Sequence, residues 1–374
     1  MGNQFGLNCF LALAITCSLH PKIFAQVESN KSTDSTVNFT SRLSSPWSNA
    51  VLTHTLQSAT EINLIEFSPD GKILAAVEAD QITLWKTDKG KVQQILPSHQ
   101  AKKHNLKIAP TAIAFSPDSQ FLATATWSQG LLSPDHSIVV WDAATGKEVL
   151  SLADSAGCRQ VLFDVKGEIL YGACDLGVTA WSFPQGDKLF SFDLEYPVEA
   201  IALSPDGKVM ATVDANITGG QEGKQSNQIQ LWALDREKPE LSNTLDGHAN
   251  DIAQVEFTSD GKKLVSSSYD GKINVTNWHT GKVNPRTNNI YSSNGLFSLN
   301  ADSSLIAGNF HSSAMTSLIT GLPLKNVLTS DKKPKLVAFS PQGQLFAIQR
   351  STDSNQSQIY LWRNNPLSSK ISKP

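Results

Sequence analysis

The phrase FSPDGK at Phe67–Lys72 returns along the chain in altered copies. FSPDSQ begins at Phe115, FDVKGE at Phe163 and LSPDGK at Leu203. FTSDGK begins at Phe257, LNADSS at Leu299 and FSPQGQ at Phe339. The seven anchors are 48, 48, 40, 54, 42 and 40 residues apart. A near-constant period of this length means one supersecondary unit repeated, which removes most other folds from consideration. Each anchor is also a turn. Pro after Ser presets the bend, and Gly two residues later takes the positive φ that closes it. Alternating stretches such as INLIEF and TAIAF precede the anchors, and apolar ones such as KILAAV, QFLATA and KVMATV follow them. Every copy therefore encodes a β-hairpin.

A third strand follows in each copy and usually ends in Trp: Trp85, Trp141, Trp181, Trp232 and Trp362. A Thr-Gly or Gly-Asp turn and a fourth strand complete the unit, as in GKEVLSL at Gly146–Leu152. Two copies lack the Trp. In the fifth, Asp270 and Thr280 have the spacing of Asp135 and Thr145 in the second, so Thr276 holds the Trp slot. Trp278 then belongs to the following turn. In the sixth, aligning Thr320-Gly321 with Thr145-Gly146 puts Thr316 in the slot.

Four strands in each unit of about 40–45 residues resemble the WD40 family of β-propellers. VVWDAATGKEVLSL at Val139–Leu152 is the best single match, and the resemblance covers roughly residues 47–363. It implies an all-β, seven-bladed propeller. It also implies a polar network of a His before the blade, a Ser or Thr on the second strand, a turn Asp and the Trp. By spacing, only Gly247-His248 with Asp270 fits, in a blade that has lost its Trp. Asp135 and Asp175 match the turn Asp of blades two and three. These residues read as structural.

A propeller must join its last blade to its first or leave raw sheet edges. After Trp362 only RNNPLSSKISKP remains, a poor strand, whereas SNAVLTHTLQ at Ser48–Gln57 resembles a fourth strand. The N-terminal segment is thus expected to complete blade seven.

Outside the repeat, residues 1–25 read as a signal peptide, with the apolar core FLALAITCSL and a small residue, Ala25, at the cleavage site. That core is shorter than the roughly 20 residues needed to span a bilayer. A lipid anchor at Cys17 would need a Leu-small-small approach, which AIT does not supply. Residues 26–46 read as a flexible linker and 367–374 as a polar tail, bracketing a propeller at 47–366. Export implies a periplasmic, lumenal or extracellular protein. Lys and Arg total 31 against 34 Asp and Glu, a net charge of −3. That balance gives no footprint for a nucleic-acid backbone.

Function is expected on one face of the disc. The anchor turns on the first face are short. The long segments, 96–110, 126–136, 214–228 and 350–358, all fall on the other. Loops on a rigid scaffold carry binding residues. Candidate partner-binding residues are Lys102, Lys103, Lys107, Trp127 and Arg350. The innermost strands offer Glu66, Glu199 and Glu256 but no His, and no nucleophile, phosphate-cradling or metal motif appears. The expectation is a non-catalytic, monomeric protein-interaction scaffold without cofactor or metal. The alternatives are an enzyme or small-ligand binder using the channel mouth, and a cytosolic scaffold. Cys9 and Cys17 lie in the leader, leaving Cys158 and Cys174. With a three-residue loop at the blade-three anchor these two face each other across strands one and two, within disulfide reach.

Overall fold

The computed structural model describes residues 47, 50–101, 106–127, 137–152, 157–174, 177–194, 196–214, 227–235, 238–287, 290, 292–310, 315–318, 334–351 and 356–364. The expected signal peptide, the linker, the tail, Lys102, Lys103, Asp135, Asp175 and the middles of three long loops lie outside them.

The anchor sequence shows directly why each hairpin forms. The Ser68 hydroxyl donates to Asp70 Oδ1 at 2.8 Å and accepts the Ile73 N–H at 3.0 Å, while Asp70 Oδ1 accepts the Lys72 N–H. Gly71 sits at φ +69° and donates its N–H to the Ser68 carbonyl. Ser204 and Asp206 repeat the device in blade four, Thr258 and Asp260 in blade five. Ser119 takes the positive-φ place of the glycine in blade two. Asp164 does the hydroxyl's work in blade three, accepting the N–H groups of Glu168 and Ile169.

Seven antiparallel blade sheets result, six of four strands and one of three among the described residues, besides a two-stranded ribbon. Blade one comprises Ile62–Phe67, Ile73–Glu78, Gln81–Lys86 and Lys91–Pro97. Blade three comprises Cys158–Phe163, Ile169–Cys174, Gly177–Ser182 and Lys188–Asp193. Blade seven takes Leu336–Phe339, Leu345–Ser351 and Ser357–Arg363 from the end of the chain and Val51–Ser58 from its beginning. Val51 pairs with Arg363 and Ser58 with Ser357, so the N-terminal strand closes the ring.

The register settles the Trp slots. Trp141 lies opposite Leu122, Trp232 opposite Met210 and Trp362 opposite Phe346. Thr276 lies opposite Leu264 and Thr316 opposite Ile306, the same place on their blades. Trp278 is nonetheless part of the core. Its ring meets Phe257 edge-on at 5.9 Å and its indole N–H donates to the Gly261 carbonyl at 2.8 Å.

The apolar core is divided into seven clusters, each lying between successive blades. The cluster between blades six and seven includes Trp47, 2% exposed, with its ring 5.6 Å from Phe339 and 5.9 Å from Phe346. The residue that precedes the closing strand thus wedges the final gap.

Two consequences follow for stability. Trp47→Ala removes a buried aromatic with no room to collapse and is expected to cost about 3–5 kcal/mol, read from the denaturant midpoint. Deleting 47–58 should broaden or abolish the cooperative melt, because it strips the last sheet of its outer strand. An unchanged melt would refute the closure.

Candidate functional site at the channel mouth

The seven innermost strands surround a channel of about 690 Å³. Four of them share an irregularity at their starts. The ladder slips between Ile62 and Leu64, Cys158 and Gln160, Val198 and Ala200, and Ile252 and Gln254. Each slip is a one-residue bulge, which bends the strand and re-aims its extra side chain. The extra residues are Asn63, Arg159, Glu199 and Ala253, of which the last three line the channel.

Three blades converge there. Arg159 places its guanidinium carbon 3.6 Å from the centre of the Trp127 ring, at the start of the blade-two loop. Its Nη1 lies 3.9 Å from Glu199 Oε2 on blade four. Burial pushes the Glu199 carboxyl above its usual range; Arg159 opposes the rise and Asp251 adds to it. Tyr269, in the turn between strands two and three of blade five, is 62% exposed. Desolvation, then the charges of Glu199 and Asp251, hold its phenol high.

Below the mouth the blades are stapled by side chains. Gln160 Oε1 accepts the Ile201 N–H of the next blade at 2.5 Å. Gln254 accepts from Phe297 N–H and donates to its carbonyl, both at 3.0 Å. Ser298 accepts the Phe339 N–H at 3.0 Å, and Glu66 the Phe115 N–H at 3.4 Å. Glu66 and Glu256 also line the channel. Desolvation raises each to about 8; for Glu66 the Phe115 N–H opposes the rise and the Glu256 charge adds to it.

Of the residues singled out in the sequence, Trp127 is at the mouth. Lys107 sits on a small ribbon, His99–Ala101 paired with Leu106–Ile108, and bridges to Asp80 at 3.3 Å. Arg350 lies on the second strand of blade seven, 5.6 Å over the Tyr360 ring. The structure does not bring these two together with Trp127 in one contact. Arg159, which sequence reasoning missed, is the residue that joins the mouth. No pattern marks it, since its role depends on a bulge. Cys158 and Cys174 face each other with their sulfurs 1.95 Å apart. The hairpin register differs from the three-residue loop expected: Phe163 pairs with Leu170, and the bulge at Arg159 shifts the ladder by one before Cys158.

The polar network is fuller than spacing suggests. His99 Nε2 lies 2.7 Å from Thr124 Oγ1, which also accepts the Trp141 indole N–H at 3.1 Å. The ribbon carries His99 far ahead of its anchor in sequence, which hid the match. In blade four Trp232 donates to Thr212 at 3.1 Å. In blade five Ser266, His248 and Asp270 form a chain at 2.9 and 3.2 Å. The order resembles a hydrolase triad, yet Ser266 is 2% exposed and sealed between blades. Desolvation holds His248 below its usual pKa, with Asp270 opposing. The chain ties strands together.

The family model described as WD domain, G-beta repeat matches residues 90–142 and 239–277. Those segments hold the His99 and His248 networks. Two segments of the propeller thus match the WD40 repeat. Human pre-mRNA-processing factor 17 is 26% identical over 58% of the chain and 34% of its own length. Human serine-threonine kinase receptor-associated protein is 26% identical over 41% of each chain. Eukaryotic translation initiation factor 3 subunit I of Lodderomyces elongisporus is 21% identical over 41% of this chain and 45% of its own. The chain thus spans about a third to a half of the length of these relatives. Among the described residues, no helix is long and apolar enough to cross a membrane.

The channel carboxyls give a signed pH dependence. From about pH 4.5 to 8 an unfolded Glu is ionised while Glu66 and Glu256 keep their protons. The native state then binds more protons, so stability falls as pH rises through that window. Glu66→Gln keeps the acceptor for Phe115 and removes the titration. It should raise the melting temperature by on the order of 2 °C at pH 8 and leave it unmoved at pH 4. A stabilisation equal at both pH values would contradict this origin.

Proposed function

We propose that this chain is a non-catalytic scaffold that binds a protein partner at the channel mouth. The observation that carries the reading is the Trp127–Arg159–Glu199 contact. Aromatic and Arg side chains dominate interface hot spots, and here they are held by a rigid ring instead of a free loop. The long segments border the same face. The relatives add support by name alone: one is called receptor-associated and one a subunit of a larger factor.

Export is part of the proposal. The apolar segment at 10–19 and the facing Cys158 and Cys174 both suit an oxidising compartment. Amino-terminal sequencing of the native protein should start near Gln26; a start at Met1 would count against export.

The mouth reading is tested by co-purification. Trp127→Ala and Arg159→Ala should each weaken capture of bound partners by at least about tenfold while leaving the melt cooperative. Partners retained equally by both variants would place the interface elsewhere.

A further inference from the structure

The geometry points to the Cys158–Cys174 disulfide as a redox clasp on the channel mouth. Position supports it first. Across strands one and two the equivalent pairs are Ile62 with Glu78, Val198 with Asp214 and Ile252 with Ser268. Those blades carry a bulge at the same place and no covalent bond. The blade that presents Arg159 is the one that is cross-linked, at the residue immediately before it.

Connectivity supports it next. Cys158 is fully buried and is the seam between two blades. Its N–H donates to the Thr126 carbonyl at 2.8 Å, and its own carbonyl accepts from Thr111 Oγ1 at 3.3 Å. Thr126 directly precedes Trp127. The residues on both sides of the Arg159–Trp127 stack are therefore fixed to one hydrogen bond, and the sulfur bridge anchors that bond's donor. The bulge interrupts the ladder between Cys158 and Gln160, so strand pairing around Arg159 is weakest where the bridge acts. Without the bridge, the strand's first residue has only polar ties to hold it.

Chemically the switch is thiol–disulfide exchange with a dithiol reductant. A thiolate of the reductant attacks the sulfur of half-buried Cys174. The S–S bond breaks and Cys158 leaves as a thiolate, which takes up a proton. The reductant's second thiol then displaces Cys174 as a thiol and closes to its own disulfide. Two electrons pass from reductant to protein. The oxidised form holds Arg159 over Trp127, and the reduced form frees it. The consequence for binding rests on the mouth reading above; the clasp itself does not.

The test uses the full chain and dithiothreitol. Mass analysis of alkylated, unreduced protein should show Cys158 and Cys174 unmodified. Amide exchange at Cys158 should then accelerate at least about tenfold on reduction, while Val198, its counterpart in blade four, changes less than about twofold. Cys174→Ser should reproduce the change without reductant. The fluorescence contributed by Trp127, taken as the difference from Trp127→Phe, should shift on reduction in the native sequence and not in Arg159→Ala. Two alkylated thiols in the unreduced protein, or unchanged exchange at Cys158, would overturn the clasp. Equal acceleration at Val198 would also overturn it, by showing a global staple. Loss of the clasp leaves the co-purification result standing, and the reverse holds too, so the two ideas fail separately.

Discussion

A ring of sheets exists only if its two ends meet, and here they meet by seven residue pairings between Val51–Ser58 and Ser357–Arg363. These pairs join residues about as far apart in sequence as the propeller allows, so their loop-closure entropy is large. Their reward is shared by every blade. Until they form, blade seven is a three-stranded sheet with an open edge, and its face toward blade one is unsupported. Polar groups reinforce the junction. Ser357 accepts the Ile62 N–H at 3.1 Å and the Gln349 side-chain amide at 2.9 Å, tying blades seven and one at the closure. Trp47 fills the gap behind it.

The other interfaces depend on the same geometry with different fillings. Where the family Trp is present it packs back on the preceding blade, as Trp141 does on blade one and Trp232 on blade three. Where Thr276 replaces it, volume comes from elsewhere: Trp278 enters from the next turn to serve blade five. Trp47, from outside the repeat, adds to the gap between blades six and seven beside Trp362. The hydrogen bond is more easily lost than the volume. Trp362 has Ile348 where Trp141 has Thr124, and its indole N–H has no partner among the described residues. Apolar filling is thus the common requirement, and the polar network is kept in blades two, four and five.

The sequence made the fold legible because turns are local chemistry. Ser, Asp and Gly at the anchors specify their own hydrogen bonds, so the hairpins, the period and the Thr276 and Thr316 slots can all be read by spacing. The closing strand was also legible, through its likeness to Gly146–Leu152. What depended on three dimensions was hidden. His99 reaches Thr124 by way of an inserted ribbon, so counting from the anchor missed it. The loop at Asp164–Glu168 closes in a different register from the three-residue one, and the bulge at Arg159, which has no residue signature of its own, shifts the ladder back so that Cys158 still faces Cys174. The partners of Lys107 and Arg350 were hidden too: the structure pairs one with Asp80 and sets the other over Tyr360.

The mouth follows from that bulge. An undistorted innermost strand would send Arg159 to one sheet face, between blades, where an unpaired guanidinium is costly. One extra residue rotates it out of the interface and into the opening, beside Trp127 and Glu199. The same slip in blades one, four and five opens the same position to Asn63, Glu199 and Ala253, whose side chains no longer answer to core packing. The fold thereby separates two demands. Residues after the bulge, such as Gln160 and Gln254, are held by their neighbours' backbones and keep the ring. Residues at the bulge are free of that duty, and so are the positions where the sequence can vary without changing the core.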